Sequence, residues 1–273
     1  RLRAIVKYGV GIDAIDIGAA KARGIPVVNV PDYAEETVAE GAMTLMLALA
    51  KKLKPIQRAM DEQGWVWPAS QWMGLDLAGK TLGLVGLGRI GAKVARMASL
   101  GFRMRVLGFD PHADAAPFEQ AGVQRCVELT ELLAHSDFVS VHCVLNDATR
   151  GLIGSSELAA MKPSAFLINV SRGAIVDEAA LLHALQEQRI AGAALDVYAQ
   201  EPLTKAGHPL SALYAMDNAI VFPHLTFFTR EAMQRLQEET LERCFEIIDG
   251  RPVQVKSRDP RLRAQRQGVR FVD

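Results

Sequence analysis

The sequence predicts an α/β protein built on a parallel sheet covered by helices on both faces. Two observations carry that expectation. From Gly79 onward, short continuous apolar runs alternate with helical stretches, which is the pattern of strands buried on both sides. One of these runs, residues 81–85, feeds directly into Gly86-Leu87-Gly88-Arg89-Ile90-Gly91 as a helix begins, the layout of a glycine-rich phosphate-binding turn.

Taken in order, residues 4–7 are short and β-prone, Gly9 and Gly11 break the chain after them, and 15–23 read as a helix stopped by Gly24. Residues 26–30 make a second β-branched run closed by Pro31. A long helix is expected over 35–63, kinked or divided at Pro55. The Trp-rich stretch 65–72, flanked by Gly74, reads as irregular and as a boundary. Strands are then expected at 81–85, 105–109, 138–144, 165–170, 193–196 and 219–222, separated mostly by helices at 92–100, 129–135, 155–160 and 177–188. A last helix is expected over 229–249. The basic stretch from Arg258 to Arg270 reads as a solvated, partly disordered terminus.

Composition narrows the classes of function. The 273 residues can bury a substantial core, and 49% hydrophobic with 23% charged is ordinary for a soluble globular protein. Lys plus Arg equals Asp plus Glu at 31 each, so no global field recruits nucleic acid or an anionic membrane. Three widely spaced cysteines argue against a disulfide framework or a zinc site and fit a reducing, cytoplasmic setting. The most apolar stretch, residues 41–50, is about half of what a membrane span needs. No secretory signal is evident, and with no initiator Met the natural start is expected upstream of Arg1.

The glycine turn predicts a Rossmann-type unit. Gly86 permits the tight turn, Gly88 lets the backbone approach a pyrophosphate, and Gly91 lets the helix pack close to the strand. The next apolar run ends in Asp110, whose carboxylate would bond both ribose hydroxyls and repel a 2′-phosphate, so NAD is expected rather than NADP. Three further residues come after predicted strands, where ligands of open α/β sheets gather. Arg172 can clamp a carboxylate in bidentate fashion, or make an ordinary surface ion pair. Glu201 can favour the protonated form of a neighbouring imidazole, or be a solvated loop residue. His224 suits proton transfer near neutrality, although His112, His135, His142, His183 and His208 are as available to a simple count. No residues have metal-ligand spacing, so no metal is expected.

Taken together these segments resemble the D-isomer-specific 2-hydroxyacid dehydrogenase family. KYGVGIDAIDIGAAKARGIPVVNVP, LAGKTLGLVGLGRIGAKVA, HCVLNDATRGLI, MKPSAFLINVSRGAIVDEAALLHAL, AGAALDVYAQEPL and FPHLTFFTREA occur in the family's order over roughly residues 7–250. The resemblance implies an NAD-binding Rossmann domain over 34–228, including the linking helix. It also implies a flavodoxin-like substrate domain over 1–33 and 229–273, incomplete because the chain starts part-way through it. The active site is expected in a cleft between the domains that closes on substrate. Arg172 would bind the substrate carboxylate and keto oxygen. His224 would be the acid in reduction and the base in oxidation, with Glu201 orienting it and favouring its protonated form. The backbone around Val10 and Gly11 would hold the carboxylate end of the substrate. Cofactor contacts are implied for Gly86, Gly88, Arg89, Ile90, Gly91, Asp110, Cys143, Val170, Ser171, Arg172, Asp196 (near the nicotinamide amide) and His224.

The implied activity is NAD-dependent hydride exchange with a small D-2-hydroxy acid or 2-keto acid, in a homodimer with the apolar helix 36–53 near its interface. Two alternatives stay open. One is an NAD-sensing interaction protein of the corepressor type. The other is a phosphoglycerate or phosphite dehydrogenase, the phosphoglycerate option being disfavoured by the short segment after the last helix. One departure from the family is Leu225-Thr226-Phe227-Phe228, where many members have small residues. Phe227 or Phe228 either walls the pocket beside the nicotinamide or packs under the final helix.

Overall fold

In the computed structural model, which describes residues 2–272, the chain opens with β1 (Ile5–Lys7), α1 (Ile17–Ala22) and β2 (Val27–Asn29), and β1 and β2 pair in parallel. Two helices come next, α2 (Glu35–Ala50) and α3 (Leu53–Gln63). The alternation then runs β3 (Thr81–Val85), α4 (Arg89–Arg96), β4 (Arg105–Phe109), α5 (Ala115–Ala121), β5 (Gln124–Arg125), α6 (Leu129–His135) and β6 (Phe138–Val141). It continues through α7 (Ser155–Ala160), β7 (Phe166–Asn169), α8 (Glu178–Gln186), β8 (Gly192–Leu195) and β9 (Ala219–Val221). The chain closes with α9 (Arg230–Ile248), β10 (Val253–Val255), α10 (Pro260–Arg263) and β11 (Val269–Phe271). Contacts divide it into two units, residues 2–37 with 227–272, and Val38–Thr226.

The larger unit holds one sheet in the order β5-β4-β3-β6-β7-β8-β9, every pair parallel. The winding reverses between β3 and β6, the switch point at which doubly wound sheets bind ligands. Side chains alternate across the strands into two cores, because successive Cβ atoms point to opposite faces. Val85, Val139, Leu167 and Leu195 pack with Leu132, Leu158 and Leu181 of α6, α7 and α8. Leu82, Leu84, Phe138 and Ile168 pack with Met43, Met46 and Leu49 of α2 and Val94 and Ala95 of α4. The apolar run 41–50 is therefore a buried helix.

Three expectations are corrected. The long helix breaks at Lys52, in left-handed conformation (φ 51°), and Pro55 instead sits in the first turn of α3. There its missing N–H costs no intrahelical bond. The Trp-rich stretch is irregular apart from a single turn at Ser70–Trp72, but it is no boundary. It lies inside the larger unit, where the Leu75 N–H donates to the Ala50 carbonyl at 2.7 Å. A Cβ at Gly74 would come within 2.7 Å of that same carbonyl oxygen.

The third correction concerns the basic terminus, which is folded. In the smaller unit β10 and β11 pair in parallel, and Val253, Val255 and Leu262 are buried with Ile12, Ile17, Val27 and Val28. Gln265 is buried too, its Oε1 accepting from Val27 N (2.6 Å) while its Nε2 donates to Val27 O (2.8 Å). Many of the charges lie on the outside of this core: Arg261 pairs with Asp259 (2.7 Å), and Arg263 lies over the Phe271 ring. A count of basic residues hides the apolar positions that bury the segment.

Candidate active site

The strand register decides which residues meet. Phe109, Val85, Val141, Asn169, Leu195 and Val221 are successive partners across β4, β3, β6, β7, β8 and β9. The residues after them (Gly86, Asp110, His142, Val170, Asp196 and Phe222) therefore leave the sheet along one carboxyl edge.

At the switch point Gly86 has φ +96°, and a Cβ there would lie 2.6 Å from the Cys143 nitrogen. A Cβ on Gly91 would lie 2.4 Å from the Gly86 carbonyl oxygen, whereas one on Gly88 would meet nothing within 4 Å. Gly86 and Gly91 are thus required by protein packing, and Gly88 keeps the outer side of the turn clear. Gly88 caps α4 without a side-chain acceptor, so the first-turn N–H groups and the positive end of the helix dipole serve the turn. Asp110 is tied to the turn, Oδ2 accepting from Leu87 N and Oδ1 from His112 N, both at 3.0 Å. A clear cradle at a helix start with a fixed carboxylate at its edge fits the pyrophosphate and ribose of a dinucleotide.

The neighbouring strand ends line up beside it. Ser171 Oγ donates to the Cys143 carbonyl at 2.6 Å. Burial pushes the Cys143 thiol up to about 11, so it remains a neutral thiol near pH 7. Burial likewise pushes His142 down to about 4, and its Nε2 bonds Ser140 Oγ at 2.8 Å.

Arg172 comes after β7 and is held from behind. Asn169, fully buried, accepts from Ser171 N through Oδ1 (3.1 Å) and donates from Nδ2 to the Arg172 carbonyl (2.9 Å). Gly173 then lies against the loop after β8: a Cβ at Gly173 would be 1.9 Å from the Tyr198 carbonyl carbon. That loop carries Glu201, whose Oε1 accepts from Tyr198 N (3.1 Å). The Tyr198 hydroxyl lies 3.0 Å from both the Leu195 and Phe222 carbonyl oxygens, bridging the ends of β8 and β9.

His224 closes the set. Its Nδ1 is 2.9 Å from Glu201 Oε2 and 3.2 Å from Oε1. A carboxylate only accepts, so Nδ1 carries the hydrogen. His224 has φ 56°, unusual for a residue with a side chain, and the turn after it is pinned by Asp196. The buried Asp196 accepts from Leu225 N (2.8 Å) through Oδ1, and from Thr226 N (3.2 Å) and the Thr226 hydroxyl through Oδ2.

The structure thus brings Glu201 and His224 into contact, and sets the Arg172 loop against the Glu201 loop through Gly173. It gathers Gly86, Gly88, Arg89, Ile90, Gly91, Asp110, Cys143, Val170 and Ser171 around the switch point. Val10 and Gly11 belong to the smaller unit, on the loop after β1, where the Val10 carbonyl accepts from Asn29 Nδ2 (2.7 Å). Phe227, in that unit, meets Tyr33 edge to face at 6.1 Å, and Phe228 is 57% exposed. Sequence reading missed Asn169, Gly173, Glu178, Tyr198 and His208. The Glu178 carboxylate accepts from Ala199 N at 2.7 Å and its pKa is raised, chiefly by burial. Among the described residues no three His, Cys, Asp or Glu side chains could hold a metal ion, and no helix is long and apolar enough to cross a membrane.

Fold and site define a dinucleotide-binding α/β protein with a histidine–carboxylate pair on the ligand-binding edge of its sheet. Residues 43–226 match the family model for the NAD binding domain of D-isomer specific 2-hydroxyacid dehydrogenases, and the chain belongs to that family. It is 41% identical over 244 residues to a glyoxylate reductase of Korarchaeum cryptofilum, covering 89% of this chain and 72% of that protein. It is 40% identical over 252 residues to a D-3-phosphoglycerate dehydrogenase of Archaeoglobus fulgidus, covering 92% of this chain but only 46% of that protein. The chain thus spans about half the length of that relative. A D-lactate dehydrogenase from Aquifex aeolicus, solved with NAD and lactic acid, superposes with a TM-score of 0.83 at 32% identity over 92% of this chain and 77% of that one.

Proposed function

We propose that the protein exchanges hydride between NAD(H) and a small D-2-hydroxy acid or its 2-keto acid. The observation that carries this reading is the Nδ1–H of His224 held on Glu201 at 2.9 Å, on the same sheet edge as the glycine turn. With Nδ1–H committed to a carboxylate, Nε2 is the nitrogen that exchanges a proton with the substrate oxygen. Glu201 stabilises the imidazolium that His224 becomes when it takes the hydroxyl proton. Arg172 pairs with the substrate carboxylate and polarises the carbonyl, and the bonds from Asn169 set its backbone. Asp196 supports the His224 turn, both of its oxygens accepting from Leu225 and Thr226. NAD(H), held by the Gly86–Gly91 turn, Asp110 and the loops at Cys143 and Ser171, would supply the hydride acceptor or donor. We read the protein as a cytoplasmic homodimer that binds neither nucleic acid nor membrane.

The relatives' names span glyoxylate reductase, D-lactate dehydrogenase and D-3-phosphoglycerate dehydrogenase, so the substrate panel must include all three keto acids. NADH oxidation is measured with glyoxylate, pyruvate and 3-phosphohydroxypyruvate. His224→Ala is expected to lower kcat by at least about a thousandfold while leaving NADH affinity within about threefold. Absence of turnover with any 2-keto acid would favour the NAD-sensing alternative, and retained turnover in His224→Ala would remove His224 from its role.

A further inference from the structure

We infer that His208, outside the Glu201–His224 pair, is a positioning residue that sets the Glu201 carboxylate for its partner. This rests on reading Glu201 and His224 as the acid–base pair. Glu201 sits on an irregular loop between β8 and β9, and a loop holds a side chain only as firmly as its own backbone is held. Upstream, Ala199 N is bonded to Glu178 and Gly173 abuts the chain at Tyr198. The residue next to Glu201 is held by His208, whose Nε2 lies 3.0 Å from the Gln200 carbonyl oxygen.

The ring has no freedom in this arrangement. His208 is 5% exposed, and its Nδ1 accepts from Leu210 N at 3.0 Å. A backbone N–H only donates, so Nδ1 is bare, Nε2 carries the hydrogen, and that hydrogen points at Gln200 O. The Tyr198 ring meets it edge to face at 6.4 Å, and Tyr198 is the residue whose N–H bonds Glu201 Oε1. One buried imidazole therefore joins the turn at 208–210 to the peptide before Glu201, and its aromatic neighbour bonds the Glu201 side chain. Loss of the Nε2 contact frees the Gln200 carbonyl and lets the carboxylate drift from His224 Nδ1. That weakens the bond that decides which His224 nitrogen carries hydrogen.

The two ring contacts can be separated by substitution. His208→Asn places an amide oxygen near the Nδ1 position and keeps the Leu210 bond, but has nothing to reach Gln200. His208→Gln extends an amide N–H towards Gln200 O and gives up Leu210. Three quantities are measured for both variants in the full chain: kcat and KM with NADH and the best 2-keto acid, melting temperature, and the ¹⁵N shift of His224 Nδ1. The shift reports, without turnover, whether that nitrogen is protonated. His208→Asn is expected to lose about tenfold to a hundredfold in kcat, with both KM values within about threefold and a mixed His224 tautomer. His208→Gln is expected to stay within about threefold of wild type with the tautomer intact. Equal losses in the two variants, or losses that track melting temperature while the His224 tautomer is unchanged, would overturn the inference. If the wild type turns over no 2-keto acid, the proposed function fails by itself and the tautomer alone decides the role of His208.

Discussion

Replacing Gly173 with alanine tests whether the arrangement of the three residues matters beyond their presence. The added Cβ would lie 1.9 Å from the Tyr198 carbonyl carbon, 2.1 Å from Ala199 N and 2.4 Å from Tyr198 Cα, all main-chain atoms with no rotamer through which to escape. Ordinary contact begins at 3.4 Å, so the Arg172 and Glu201 loops must separate by 3.4 − 1.9 = 1.5 Å. Overpacking of this kind costs about 1–3 kcal/mol of stability. The catalytic cost is larger in proportion, because a displacement of about 1 Å at a reacting group lowers rate by about a hundredfold. Gly173→Ala is therefore expected to fold with a reduced melting temperature, keep measurable NADH binding through the glycine turn and Asp110, weakened where the Ser171 loop moves, and lose about a hundredfold in kcat/KM for the keto acid. Steady-state kinetics beside NADH titration and calorimetry read the three separately. Wild-type kcat/KM in a variant whose melting temperature has fallen would refute the argument, since the loops would then have moved without consequence.

Two further outcomes are expected. Asp110→Ser removes the fixed carboxylate beside the glycine turn, so the ratio of kcat/KM with NADPH to that with NADH should rise by at least about tenfold; an unchanged ratio would place cofactor selection elsewhere. His142 falls from 6.5 to about 4 on folding, because burial disfavours its charged form. Between those values the unfolded chain binds more protons than the folded one, so stability rises with pH: the contribution is complete above about 6.5 and lost as pH falls towards about 4. The difference is up to about 3 kcal/mol. Denaturant titrations at pH 7 and 4.5 should show it, and His142→Gln should flatten the slope over that interval.

The larger unit was legible in the sequence for a physical reason. Strands buried on both faces are continuous apolar runs, and the ends of β3 and β4 at Val85 and Phe109 were readable because glycine and aspartate interrupt those runs. The smaller unit was not. Its strands are three residues long, and β10 and β11 are tethered through Arg243, Glu246 and Gln254, so charge density masked burial. In a segment this short, two valines on one face and one glutamine replacing a strand partner suffice to fold it, and no period can emerge from so few positions.

The site divides along the same line. Arg172, Glu201 and His224 stand out in the sequence because each lies a few residues behind a strand, on the edge where a doubly wound sheet gathers ligands, and because their order forms a recognisable set. The residues that hold them carry no such mark. Asn169 is a strand residue, Gly173 one glycine of 22, and His208 one histidine of six. Asn169 bonds main-chain atoms two and three positions on, and other side chains reach farther along the chain: His208 across eight positions to Gln200, Glu178 across 21 to Ala199, Asp196 across 29 and 30 to Leu225 and Thr226. Backbone amides are identical at every position, so the sequence names only the donor or acceptor side chain and never its partner. Asp196 shows the consequence. Implied by the resemblance to lie near the nicotinamide amide, it also binds, through both oxygens, the turn that follows His224, whose φ is 56°. Only the fold could assign it there, because only the fold says which of 273 peptide groups lies within three ångströms of its carboxylate.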